Sequence, residues 1–127
     1  MDLSSALAII VMSLFILVAV FQFLLAFGFP LGEYAMGGYH RTLPTKLRIV
    51  SVVNGIVLLF MGAVFLMKAK DLDTLNFLPN TVLAWMFTGF LALNTMGNLF
   101  SQSKKERVVM TPLSGLLFIL CLIIALS

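Results

Sequence analysis

The chain has 127 residues, 61% of them hydrophobic and 10% charged, with a formal net charge of +3. A soluble domain carries roughly 25% charged residues, so a water-exposed globule is excluded and the bilayer is the expected solvent. The basic residues stand at the ends of apolar runs and form no extended basic face, which excludes nucleic acid as a partner.

The first apolar run covers residues 3–27. It exceeds the roughly 20 residues that cross a hydrocarbon core. It is also too long for the about 7–15-residue core of a signal peptide, and no Lys or Arg precedes it, so a retained span is expected. Pro30 disfavours helix at Phe29 and is expected to end this span.

The link that follows reads "FGFPLGEYAMGGYHRTLP" and holds the only histidine of the chain. Glu33 and His40 carry acid–base chemistry in principle. No nucleophile motif, phosphate loop or Cys/His metal set accompanies them, so no catalytic residue, cofactor or metal ligand is assigned. Gly37–Gly38 permits positive φ. Its backbone N–H groups offer an anion-binding nest beside His40 and Arg41, while the plainer reading is a tight turn with Tyr34 and Tyr39 as interface anchors.

The second span is expected over residues 47–67, after Pro44 and Thr45. A polar link, Lys68 to Pro79, leads to a third span over residues 81–100, with Asn80 as its cap and Trp85 in an interfacial belt position. Ser103 and Glu106 make a capping box ahead of the fourth span, residues 108–126. Pro112 then falls past the first turn of a helix that starts after Ser103, where it bends the helix. A cap at Thr111 would instead place Pro112 at the first helical position.

Within hydrocarbon the backbone must satisfy itself, and short links favour antiparallel neighbours. The expected fold is therefore all-α: an integral membrane four-helix bundle of two antiparallel hairpins, one four-span domain over residues 1–127. The first and third links carry Arg41, Lys46, Arg48, Lys104, Lys105 and Arg107, against Lys68 and Lys70 on the other side. That asymmetry predicts cytoplasmic first and third links and extracytoplasmic termini. A faint echo between "RIVSVVNGIVLLF" and "RVVMTPLSGLLF" is compatible with tandem hairpins, and also with the general likeness of apolar helices.

No ionisable side chain lies deep in a span, which disfavours proton-coupled transport. Neutral polar residues do: Gln22, Ser51, Asn54, Asn94, Thr95, Asn98 and Ser114. All fall in the half of their spans nearest the first and third links, and Asn94 and Asn98 share a helix face. Two readings follow. One is interhelical hydrogen bonding that holds the bundle. The other is a polar cup that takes a lipid headgroup or small ligand, with Gln22, Glu33, His40, Arg41, Asn54, Asn94 and Asn98 as its candidate residues. Small residues also line up along Ser51–Gly55–Gly62, Ala84–Thr88–Ala92 and Ser114–Cys121–Ala125, as helix-packing seams do. Cys121, in an apolar setting, is expected to be inert.

The segments "PLGEYAMGGYHRTLPTKLRIVS" and "LNTMGNLFSQSKKERVVMTPLSG" resemble a group of small four-span membrane proteins of Gram-positive bacteria, over nearly the whole chain. The resemblance implies a bacterial plasma membrane and supplies no activity. Small four-span fluoride channels have a similar length but a different glycine and asparagine placement. The preferred function is a non-catalytic module that binds a partner protein or lipid headgroup at the cytoplasmic face, with the bilayer and a membrane-protein partner or homo-oligomer as its contacts. The alternatives are a small oligomeric channel or transporter, and a membrane enzyme using Glu33 and His40.

Overall fold

The computed structural model describes residues 3–70 and 80–126. Four helices run in chain order: α1 (Leu3–Ala26), α2 (Thr45–Lys70), α3 (Asn80–Leu99) and α4 (Lys104–Leu126). All four are long and apolar enough to cross a membrane, and by this composition the chain is a multi-pass membrane protein. α1 packs chiefly against α2 and α3 chiefly against α4, so the bundle is built from two hairpins. Asp71 and Asp73 of the second link lie outside the described residues, as does the Asn80 side chain.

The α1–α2 and α3–α4 links share one end of the bundle, the link end below. α1 stops there for a reason other than Pro30. Gly28 takes φ +93°. Its N–H donates to the Leu25 carbonyl (3.1 Å), and the Phe29 N–H donates to the Leu24 carbonyl (3.2 Å). This is a Schellman termination, with the glycine in the left-handed conformation it favours. Pro30 follows a helix that has already ended.

α2 begins earlier than expected, because the Pro44 carbonyl accepts from both the Leu47 and Arg48 N–H groups (3.0 Å each). Its small-residue seam packs on α1. Ser51 is fully buried, and a Cβ added at Gly55 or Gly62 would press on Phe23 or Met12 respectively. α4 starts directly after Ser103, and Pro112 lies inside it. The proline has no N–H, so the Val108 carbonyl loses its helical donor.

The apolar core occupies the half of the bundle away from the links. Val11, Phe15, Met61, Phe65, Ala84, Leu91, Leu117, Cys121, Ile124 and Ala125 form one buried cluster drawn from all four helices. Phe15 and Phe65 stack there with ring centroids 6.1 Å apart. Lipid tails are as apolar as leucine, so close packing rather than water exclusion holds these helices together. Ile9, Leu17, Ile56, Met86, Leu93 and Ile119 are exposed and face outward. A second, smaller cluster of Leu25, Ala35 and Leu43 seats the α1–α2 link on the link end.

Candidate functional site

The α1–α2 link is an ordered strap. It contains two short 3-10 turns, Gly32–Tyr34 and Met36–Gly38. The Gly32 N–H donates to the Arg41 carbonyl (2.8 Å), which closes the strap on itself. Met36, Gly37 and Gly38 have φ of +52°, +81° and +76°. Two of these three successive left-handed positions are glycine, which explains the double glycine of the sequence. Arg48 braces the strap from α2: its Nε donates to the Leu43 carbonyl at 2.8 Å.

The strap crosses to the N-terminus of α4 and is held there at three points. The Ser103 hydroxyl donates to the Glu33 carbonyl. Lys105 pairs with the Glu33 carboxylate. The Gly37 N–H donates to Glu106 Oε1 at 3.2 Å. The expected capping box is therefore only half formed. Ser103 Oγ accepts from the Glu106 N–H (3.3 Å), as a cap should. The Glu106 side chain does not return to the Ser103 N–H, which instead donates to Ser101 Oγ (3.1 Å). Glu106 serves the strap, and the anion expected at the Gly37–Gly38 turn is the chain's own carboxylate.

Beneath the strap lies a cavity of about 300 Å³ between the two hairpins. Gln22, Asn54, Asn94 and Asn98 line it, one or two from each of α1, α2 and α3. Tyr34, Met36 and Gly37 of the strap form its roof, and Glu106 and Met110 of α4 close another side. A narrower crevice of about 110 Å³ continues past Asn54 and Asn94 to Met61. Met61 is fully buried in the apolar core, so the polar space ends where that core begins. At 1.5 Å per helical residue, Gln22, Asn54 and Asn94 sit about 6–14 Å inside the nearest helix ends, in the half of the spans nearest the links.

Four of the seven expected site residues thus meet in one cavity. The other three do not join them. His40 and Arg41 are exposed on the strap. Glu33 is engaged with Lys105, whose ammonium holds its carboxyl below the usual carboxylate range, mainly through their hydrogen bond. Glu33 and Lys105 line a shallow surface depression on the outer side of the strap with Gly38 and Tyr39.

Several other polar residues of the spans bond within their own helix or to a neighbour, while the buried hydroxyls of Ser51 and Thr111 have no hydrogen-bond partner. Thr88 and Thr95 donate to the carbonyls of Ala84 and Leu91, four residues back. Ser114 donates to the Met110 carbonyl (2.6 Å) and accepts from Asn98 Nδ2 (3.0 Å). Asn98 thus ties α3 to α4 through its amide nitrogen while also lining the cavity.

Glu106 is the member that sequence reading did not include. It is 5% exposed, and its capping-box position hid its second role. The signal available was chemical: an acid two residues into a helix, beside a link rich in positive-φ glycine, has a backbone N–H to bind.

No family model, no curated protein and no solved structure matches the chain. The resemblance to Gram-positive four-span proteins rests on the quoted residues alone.

Proposed function

We propose that this is a non-catalytic module of a bacterial plasma membrane, one four-span domain with the strap and the α3–α4 link in the cytoplasm. Its cavity takes the headgroup of an inner-leaflet lipid. The observation that supports this is the convergence of Gln22, Asn54, Asn94 and Asn98 on one space in the half of the bundle nearest the links. Polar side chains in a span are costly and are kept where they bond one another or face a ligand or water. Asn54 and Asn94 are exposed and have room for a guest. The apolar core at the other end weighs against a continuous polar path, and so against the channel alternative.

The test is lipid retention by the full chain, read by native mass spectrometry after detergent extraction. Asn94→Leu is expected to reduce retained phospholipid several-fold. Unchanged retention in both Asn94→Leu and Gln22→Leu would remove the proposal.

A second reading gives α3 a contact face for another copy of the chain. It is the least covered of the helices, and a Cβ added at Gly89 would meet nothing within 4 Å. Small residues bare on a helix permit close helix approach. Disulfide trapping of a Gly89→Cys chain in membranes tests it; a monomer under oxidising conditions counts against it.

A further inference from the structure

We propose that the group entering the cavity is a protonated amine, bound by Glu106 and the amide oxygens around it. This rests on the cavity reading above and specifies its ligand.

The lining holds one carboxylate and no cationic side chain among the described residues, while its four amides both donate and accept. Glu106 is 5% exposed and contributes a carboxylate to the cavity wall. A carboxylate has about four acceptor sites. Gly37 supplies one N–H to it, and the positive end of α4 contributes a partial charge. Neither equals a full cation, and a buried carboxylate is costly unless paired or fully bonded. None of the described residues lining the cavity is Lys, Arg or His. Lys105 turns outward to Glu33, and Arg107 donates to the Ser101 carbonyl at 2.9 Å.

Amides both donate and accept, and two of them here leave an oxygen for a ligand. Asn98 Nδ2 is directed at the Met110 carbonyl (3.4 Å) and at Ser114 Oγ (3.0 Å). The Ser114 hydroxyl already donates to that carbonyl, so both groups require a donor from Asn98, and its amide orientation is fixed. The Asn98 oxygen is what remains for a ligand. Gln22 Oε1 is buried and has no hydrogen-bond partner. A carboxylate and two amide oxygens around a space of about 300 Å³ complement a compact cation with several N–H donors. A divalent metal is a poorer match, since among the described residues no three acids, histidines or cysteines gather.

Such an amine can arrive on a phospholipid headgroup or free in solution, and the experiment separates the two. The full chain is reconstituted in nanodiscs, and retention of phosphatidylethanolamine is compared with that of phosphatidylglycerol carrying the same acyl chains. The basic links favour the anionic lipid, so a preference for the amine lipid cannot come from them. Wild type is expected to prefer phosphatidylethanolamine at least tenfold. Glu106→Gln keeps the acceptor for Gly37 and removes the charge. It is expected to abolish that preference, read as the ratio of the two lipids retained.

Free ethanolamine is the second arm. Displacement of the amine lipid by it, in wild type but not in Glu106→Gln, supports the same site taking either source. Binding of ethanolamine without any lipid preference assigns the site to a soluble amine. Equal retention of both lipids and no ethanolamine binding by wild type would overturn the amine, and this needs no variant to fold. If that result comes with retention that falls in Asn94→Leu, the cavity reading survives. If Asn94→Leu changes nothing, both fail.

Discussion

Gly32 and Gly97 look interchangeable in the sequence and are opposites in the structure. A Cβ at Gly32 would stand 1.8 Å from the His40 carbonyl oxygen, whereas one at Gly97 meets nothing within 4 Å. Gly32→Ala forces backbone against backbone and separates the strap from its closing bond to Arg41. The expected cost is at the upper end of the overpacking range, about 1–3 kcal/mol. Gly97→Ala adds a methyl in open space to a helix interior and is expected to be neutral or to stabilise by up to about 1 kcal/mol. Thermal unfolding of the two variants in the same detergent reads the difference. Cys121 makes a separate point at this scale. It is fully buried in the apolar core, so maleimide should label it only after the bundle is unfolded. Labelling of native protein would show that the core opens.

Among the elements, the strap owes its place to α4. Ser103 caps α4 and also donates to the strap at Glu33, so Ser103→Ala removes two functions at once. A cap alone is worth about 1 kcal/mol; the loss should exceed that, and Ser103→Thr should recover most of it in chemical denaturation. The Glu33–Lys105 pair adds a pH signature. Because the folded protein holds the Glu33 carboxyl below its ordinary range, its contribution is full above the unfolded value near 4.3 and is lost as pH falls through the lower folded value. The melting difference between wild type and Glu33→Gln is expected at pH 7 and should shrink as the pH is lowered through the folded value; a difference undiminished in acid would mean the pair does not hold the strap. Much of this level was legible in the sequence. The spans follow from apolar run length, and the gathering of Gln22, Asn54, Asn94 and Asn98 follows from their depth, both local properties. What escaped was long-range or stereochemical. The bond from Gly37 to Glu106 joins residues 69 apart in sequence, and no local pattern states it. The end of α1 was assigned to Pro30, when the left-handed Gly28 two residues earlier completes the termination.

The whole molecule is asymmetric along the bundle axis, with a close-packed apolar half and a half that holds a polar cavity under a strap. Which side of the membrane the cavity faces decides which leaflet supplies its ligand. The link end carries six of the eight basic residues, Arg41 in the first link and the others in the first turns of α2 and α4, and an end with that excess is expected in the cytoplasm. Cysteine labelling of intact cells tests this, in a Cys121→Ala background so that only the introduced thiol reports. Lys105 is a poor reporter because it is paired with Glu33. Lys104 is its exposed neighbour at the start of α4, and Lys104→Cys should resist a membrane-impermeant maleimide until the cells are opened. Lys70→Cys, at the far end of α2, should react from outside at once. The reverse pattern would turn the bundle over, present the Glu106 cavity to the outer leaflet, and make an extracellular amine or an outer-leaflet headgroup its ligand. The two orientations therefore predict different lipids for the same cavity, and the labelling result determines which leaflet the retention experiments should represent.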